Sequence, residues 1–179
     1  PRAPGPTPRE TGDGGASVVN CFYDNQTTLR DTSNGGTGKD TADMMDAATF
    51  TGAGWDMAGI WWMDDGLSRP FLRAEHTFSI RTAKQLQLMD MVRDGDYTLE
   101  SDVDLSEIRT PSSMWGTDLE SGRGWCPVGN DILSNTDWFV GSLDGKNHTI
   151  SNLYFSETFY MGAGLFEYVR EAVLENIVM

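Results

Sequence analysis

The chain has 179 residues, 39% of them apolar and 22% charged, so it can bury a core of its own and does not have the composition of a disordered polypeptide. Its formal net charge of −14 at pH 7 disfavours binding to nucleic acid and to anionic lipid, because both would repel it. No apolar run approaches the roughly 20 residues that a membrane helix needs. We therefore expect no nucleic-acid partner and no membrane span, which leaves cations and neutral surfaces as possible partners.

The composition also favours a β-rich fold with many turns. The chain contains twenty glycines and six tryptophans but only 13 lysines and arginines, a composition that is atypical of proteins with long helices. Residues 1–15 are rich in proline and glycine and predict a flexible N-terminal segment, and PRAPGPTPRE at residues 1–10 lacks the apolar centre of a signal peptide.

Three short segments share a pattern of apolar residues around one asparagine. ISNLYF at positions 150–155 aligns with LENIVM at positions 174–179, and VVNCFY at positions 18–23 gives a third copy. Asparagine is depleted in strands, so its recurrence predicts a ladder of stacked side-chain amides. Short strands, glycine turns and the spacing of the first two copies together predict a parallel β-solenoid with coils of about 24 residues. The predicted ladder consists of Asn20, Asn152 and Asn176.

A helix and an alternating strand are predicted ahead of the repeats. Thr82 and Gln85 fit a capping box, and apolar residues follow at helical spacing, so residues 80–94 predict a short helix that caps the solenoid. Residues 97–105 alternate between apolar and polar side chains, which is typical of a half-buried strand. Asp144 and the three residues after it predict a turn between strands.

These segments resemble a known family. Residues 82–179 look like bacterial surface proteins with GLUG motifs, whose β-helices begin with a helix and continue through a fixed order of strand and turn motifs. The matching motifs are DVDLS at 102–106, WCPVG at 125–129, FVGSLDGKNHTISNL at 139–153 and GLFEYV, a further predicted strand, at 164–169. Residues 16–75 resemble the segment that closes such a β-helix, through Trp55-Asp56, Trp61 or Trp62, and Arg69-Pro70-Phe71-Leu72-Arg73. The resemblance implies a mainly β fold, a right-handed parallel β-helix, with a terminal coil and aromatic-rich closing segment at 16–75 followed by the start of a second solenoid at 76–179.

Few residues qualify as catalytic or metal-binding candidates. Asp102 and Asp104 project from one strand face and suit acid-base chemistry or Ca²⁺ ligation, but on an alternating strand they are first a solvated polar face. His148 follows a turn with no nucleophile placed beside it by a local motif, which favours a structural hydrogen bond. We therefore expect no catalytic residue, no cofactor and no metal, with Ca²⁺ as the alternative.

The cysteines and the aromatic residues also favour structural roles. Cys21 and Cys126 have no framework spacing, so two buried free thiols are favoured over a disulfide, which stays open. The aromatic residues favour packing over a sugar-binding platform, because large aromatic side chains usually cover core surface. This group comprises Trp55, Trp61, Trp62 and Phe71.

The function that these features favour is that of a non-enzymatic extracellular module of a bacterial surface protein, serving adhesion or structural assembly. We expect head-to-tail self-association into filaments, in which the C-terminal strand of one copy receives the N-terminal strand of another. Adjoining solenoid domains of a larger chain and surface glycans are the other expected partners, and a polysaccharide-active enzyme or a carbohydrate-binding module is the alternative. The predicted interface comprises Val18, Val19, Asn20, Cys21, Phe22, Leu174, Asn176, Ile177 and Met179.

Overall fold

The computed structural model describes residues 17–115, 124–129, 138–155 and 164–179. The predicted flexible segment 1–15 lies outside these ranges. The strands are β1 (Phe22–Asp24), β2 (Thr37–Lys39), β3 (Trp61–Trp62), β4 (Phe71–Leu72), β5 (Ser79–Ile80), β6 (Asp96–Leu99), β7 (Val103–Asp104), β8 (Ser142–Asp144), β9 (Ile150–Ser151) and β10 (Val173–Glu175). The helices are α1 (Asn25–Thr28), α2 (Ala47–Gly52) and α3 (Ala83–Gln87), with 3-10 turns at Asp43–Met45, Arg73–Glu75, Leu88–Met91 and Ser106–Arg109.

The predicted β-solenoid is wrong. The strands of the described residues are short and form small separate sheets, one of four strands in the order β10-β8-β6-β5 and three of two strands. The β3–β4 pair is antiparallel, whereas the other pairs of strands are parallel. In the four-stranded sheet the directly paired residues are Ser79 with Thr98, Asp96 with Ser142, and Ser142 with Val173. The sequence intervals between these partners are unequal, so the predicted regular coil length does not relate these strands.

One apolar core joins both halves of the chain. It contains buried residues from Ile80 to Leu165 together with Phe71, and Trp62 and Leu67 pack against it. The rings of Phe71 and Trp115 lie 5.6 Å apart in an edge-on arrangement. The core thus crosses the predicted domain boundary between residues 75 and 76.

The predicted cap helix is confirmed in its start but is shorter than residues 80–94. The Thr82 hydroxyl accepts a hydrogen bond from the Gln85 N–H at 3.2 Å, while the Gln85 side chain accepts one from the Arg81 N–H at 2.8 Å. The first contact satisfies a backbone donor that a helix start leaves free, whereas the second binds the residue before the N-cap rather than the N-cap itself, as a full capping box would. The helix ends at Gln87 and continues as a 3-10 turn to Met91.

Two polar side chains after this start hold the core turn at residues 125–129. The buried Gln87 amide donates to the Cys126 carbonyl at 2.8 Å and accepts from the Trp115 indole N–H at 2.8 Å. Asp90 accepts a 2.8 Å hydrogen bond from the Gly129 N–H and also pairs with Arg93. Buried polar groups need such partners, so α3 and its 3-10 extension fix the turn as well as covering the core.

The alternation predicted for residues 97–105 is confirmed, because the four apolar members Tyr97, Leu99, Val103 and Leu105 are all buried. The segment divides into β6 and β7, since residues 100–102 leave the strand. The strand predicted at 164–169 is wrong: it forms only isolated bridges, from Phe166 to Val128 and from Val169 to Phe139. A short apolar run does not form a strand unless a partner follows it over several residues.

Candidate functional site

The polar face of the sheets is built from two repeats of one contact. The Asn152 amide donates to Asp104 Oδ1 at 2.8 Å, and the Asn176 amide donates to Asp144 Oδ1 at 3.0 Å. Both asparagines have positive φ, 60° and 52°, a conformation that asparagine adopts more readily than most residues. In each case the aspartate lies opposite the residue that precedes the asparagine, Ser151 or Glu175.

This register differs from the predicted amide ladder. Thr149 bridges Val178, and the Asn147 N–H donates to the Asn176 carbonyl at 2.9 Å, so Asn176 lies beside the turn at 145–147. The amides of Asn152 and Asn176 are therefore bound to carboxylates rather than to each other. The third asparagine of the pattern, Asn20, also has positive φ, at 53°.

The structure brings together two residues that the sequence analysis considered separately. His148 Nδ1 lies 3.2 Å from Asp102 Oδ1, and the same oxygen accepts a 2.9 Å hydrogen bond from the Thr149 N–H. On the same face, Lys146 forms an ion pair with Glu100. Because the partners in both pairs are far apart in the chain, only the parallel strand pairing could place them side by side.

Hydrogen bonds lower the pKa of four carboxyl groups on this face. For Asp104 and Asp144 the largest cause is the asparagine amide, which stabilises the ionised form. For Asp102 it is the Thr149 N–H, and for Glu100 it is the Lys146 side chain. The face is thus a set of ionised carboxylates that hold turns and neighbouring strands in place.

The contacts on this face are structural in kind. Among residues 17–115 and the other described ranges, no hydroxyl or thiol lies at hydrogen-bonding distance from the His148 ring. Nor do three or more His, Cys, Asp or Glu side chains converge there into a group suited to a metal ion. Asp102 and Asp104 each accept a hydrogen bond from one backbone N–H and contact one or two side chains, as carboxylates on a solvated polar face do.

The open edge of the four-stranded sheet carries most of the predicted C-terminal interface. Tyr97, Leu143 and Leu174 lie opposite one another on β6, β8 and β10, and the first two are buried, whereas Leu174 is 41% exposed. Phe139 and its bridge partner Val169 differ in the same way, because Phe139 is buried and Val169 is exposed. The apolar side chains at this edge of the sheet are therefore not covered by another strand within the described part of the chain. The exposed ones are Val169, Val173, Leu174, Val178 and Met179, and Ile177 is half-buried.

The backbone of β10 is also unpaired on one side. The Val173 N–H donates to the Gly141 carbonyl and the Glu175 carbonyl accepts from the Gly145 N–H, so residues 173 and 175 face β8. In a parallel ladder the intervening residue points the other way, which leaves the Leu174 N–H and carbonyl at the open edge. Such an edge is a template for another strand.

The predicted N-terminal interface segment runs from Val18 into β1. Val19, Asn20 and Cys21 are exposed, while Val18 and Phe22 are half-buried. Within the described ranges, residues 18–20 make no backbone-to-backbone hydrogen bond. The Asn20 carbonyl accepts from the Trp55 indole N–H at 2.9 Å, which ties the segment to the aromatic residues behind it.

A buried ion pair, which the sequence analysis did not identify, fixes this N-terminal region to the rest of the molecule. Asp24 Oδ2 lies 2.6 Å from Arg69 Nη2, and the Arg69 guanidinium also donates to the carbonyls of Pro111 and Ser113. Burial acts to raise the pKa of Asp24, but hydrogen bonds from the Thr27 N–H, Arg69 and Thr41 outweigh it, so the pKa is lowered. The long sequence separation of the two partners leaves no local signal for this pair.

The two cysteines are not joined by a disulfide, as the favoured interpretation expects, but only Cys126 is buried, because Cys21 is exposed beside Val19. The aromatic residues pack as the favoured interpretation expects. The rings of Trp55 and Trp61 lie 4.5 Å apart, and those of Trp62 and Phe71 lie 5.8 Å apart. Phe71 is fully buried, whereas the three tryptophans are half-buried.

Two open clefts lie near β5. One, of about 500 Å³, is lined by Phe78, Val92, Asp94, Gly95 and Asp96, and Phe78 is 49% exposed. The other, of about 660 Å³, has a mixed-charge lining that includes Arg81, Lys84, Glu75 and Glu107. Phe78 is an exposed aromatic residue that the sequence analysis missed, since it lies apart from the tryptophan-rich segment.

No helix in the described residues is both long enough and apolar enough to cross a membrane. The chain is 35% identical to Halomucin of Haloquadratum walsbyi over 109 residues, which cover 59% of this chain and 1% of that protein. It is 49% identical to a putative Gly-rich membrane protein of Evansella cellulosilytica over 45 residues, 25% of this chain and 5% of that protein. The chain thus spans only a small part of either relative. No protein-family model and no solved structure matches it, so the resemblance to GLUG-motif proteins stays a prediction.

Proposed function

We propose that this chain is a non-enzymatic structural unit of a surface protein and that it associates head-to-tail with further copies of itself. The observation that carries the proposal is the loss of burial along one layer of the sheet. Leu143 is fully buried, whereas its neighbour Leu174 on the edge strand is 41% exposed. Apolar side chains beside unpaired strand groups form a surface that another strand can cover.

The surface location rests on the two relatives and on the family resemblance. One relative is named as a membrane protein and the other as a halomucin, and both are far longer than the matched segment. These names support a surface or membrane location in coarse terms. The finer proposal, an extracellular position on a bacterial surface with a role in adhesion or assembly, rests on the resemblance to GLUG-motif proteins.

Sedimentation velocity and electron microscopy test the self-association. We expect particles whose size grows with protein concentration, and we expect salt to favour growth because it screens the repulsion between copies of net charge −14. Leu174→Lys should keep the protein monomeric, since a charge on the edge strand opposes strand addition. A wild-type protein that stays monomeric at every concentration and salt level overturns the proposal.

Leu72→Lys provides the matched control. Leu72 is a leucine of similar exposure, 38%, on β4 of the antiparallel pair rather than on the open edge. Its substitution should leave the assemblies unchanged. Equal loss of assembly in both variants would contradict a specific role of β10. Circular dichroism must show that each variant remains folded.

A carbohydrate-binding module is the second candidate, favoured by the exposed Phe78, which lines one cleft together with Asp94 and Asp96. An aromatic face and flanking carboxylates suit the apolar surface and hydroxyl groups of a sugar. Incubation with a panel of acidic and neutral glycans separates the possibilities. Binding that Phe78→Ala abolishes and Ile60→Ala preserves would support this module, and release of cleaved sugars would instead indicate a polysaccharide-active enzyme.

A further inference from the structure

We propose that residues 18–20 of one copy add as a parallel strand to the open edge of β10 in another copy, with Val19 opposite Glu175 and the Asn20 amide bound to the Glu175 carboxylate. This inference rests on the proposed self-association and gives it a register. It follows from a contact that the molecule already makes twice.

The repeated contact has a fixed geometry. An acidic residue on one strand lies opposite the residue that precedes a positive-φ asparagine on the next strand, and the asparagine amide binds that acid. Asp104 receives Asn152 in this way at 2.8 Å, and Asp144 receives Asn176 at 3.0 Å. The repeated contact therefore combines three features: an acidic residue, a fixed pairing register and an asparagine with a left-handed backbone.

The edge strand presents the next acid in this series. Glu175 lies directly opposite Asp144 in the parallel register of β8 and β10, and its side chain is exposed. Within the described ranges, Glu175 has no hydrogen-bond or ion-pair partner for its carboxylate, and its side chain is one methylene longer than that of aspartate. The acceptor of a third contact is thus present and unused.

The donor is also present and unused in the same chain. Asn20 has a φ of 53°, close to the 52° of Asn176, and the described residues give its side-chain amide no partner. Val19 before it is 64% exposed, and residues 18–20 have no backbone-to-backbone hydrogen bond within the described part of the chain. A left-handed asparagine that follows an exposed segment matches the positions of Asn152 and Asn176.

The same register also covers the exposed apolar layer. If Val19 lies opposite Glu175, then Val18 lies opposite Leu174, since paired residues advance together along parallel strands. Val18 then continues the buried row formed by Tyr97 and Leu143 and covers the exposed side chain of Leu174. A shift of one residue would turn Val18 to the outer face, so the polar contact and the apolar contact specify one register.

Cysteine cross-linking tests the register directly. One variant carries Glu175→Cys and a second carries Val19→Cys, both in a Cys21→Ser background that removes the exposed native thiol. Opposed residues on paired strands lie about 4.8 Å apart, within the range that a disulfide spans. Mild oxidation of the mixture should give a disulfide-linked heterodimer. Val18→Cys in place of Val19→Cys should cross-link far less, because its side chain points to the other face.

Side-chain variants test the polar contact. Asn20→Gly keeps the positive φ and removes the amide, and Glu175→Leu removes the acceptor, so each should weaken self-association about tenfold, as expected for one lost hydrogen bond to a charged group. The double variant should be little weaker than either single one. Glu107→Leu, an equal charge change at another exposed glutamate, should not weaken association, because it lowers the repulsion between copies.

The outcomes separate the register from the self-association itself. Assemblies that form normally without the Val19–Glu175 cross-link, and without an effect of Glu175→Leu, overturn this inference and leave the proposed function standing. A wild-type chain that never associates overturns both. The cross-link together with coupled losses in Asn20→Gly and Glu175→Leu supports both.

Discussion

The two edge strands of the four-stranded sheet differ in how they are covered. Ile80 on β5 is fully buried, whereas Leu174 on β10 is 41% exposed. β5 leads almost directly into α3, and the Ala83 and Leu86 side chains of that helix are buried in the same core. An edge strand of this protein is thus covered when the next element folds back onto the core, and β10 lacks such a cover in the described residues.

The largest expected effect is on the free energy of unfolding, when Ile80 on β5 and Leu174 on β10 are each replaced by alanine. Ile80→Ala should lower the free energy of unfolding by about 2 to 5 kcal/mol, because it leaves a cavity in a closed core. Leu174→Ala should cost less than about 1 kcal/mol at concentrations where the protein is monomeric, since water already reaches that side chain. Urea denaturation of both variants measures the difference, and equal losses would contradict the comparison.

A second prediction concerns the buried ion pair between Asp24 and Arg69, which attaches the N-terminal region to the rest of the protein. Arg69→Met leaves Asp24 buried without its partner and should cost about 3 kcal/mol. Lys39→Met, which removes a more exposed ion pair with Asp43, should change stability by about 0.5 kcal/mol or less. Thermal or urea unfolding distinguishes them. A small effect of Arg69→Met would mean that the aromatic contacts alone hold this segment.

The smallest effect is expected at the contact that anchors β10. The Asn176 amide, followed by the Lys146 N–H, lowers the pKa of Asp144 in the folded protein. An unfolded-state aspartate has a pKa of about 4, so the unfolded chain takes up the proton first. The contribution to stability is therefore complete above about pH 4 to 5 and is lost as the pH falls through the folded-state pKa.

Asp144→Asn tests this dependence. Urea denaturation at a series of pH values should show a smaller loss of stability below pH about 4 in the variant than in the wild type. Asp96→Asn serves as the control, since Asp96 accepts a hydrogen bond from Ser142 on the same sheet but binds no asparagine. Identical pH profiles for wild type and Asp144→Asn would rule out a role of this contact in stability.

Local features of the fold followed from the sequence, whereas the architecture did not. The Thr82 cap and the alternation from Tyr97 to Leu105 depend on residues a few positions apart, and the structure confirms both. The asparagines of the repeat share a positive φ that the sequence analysis did not predict, and the partners of Asn152 and Asn176 are aspartates rather than other asparagines. The repeat did not set the pairing, because the strands that pair in the four-stranded sheet follow one another at unequal intervals along the chain.

By itself the sequence determined where turns, caps and buried strand faces lie, since those depend on the conformational preferences of neighbouring residues. Only the tertiary structure decided which acid receives each asparagine, which arginine joins Asp24 and which strand is left at the edge. Each of these contacts joins residues that are dozens of positions apart, and the cost of closing such loops is recovered only when the whole core forms. The exposure of Leu174, and a Glu175 carboxylate that has no partner among the described residues, are for the same reason visible only once the strands are paired.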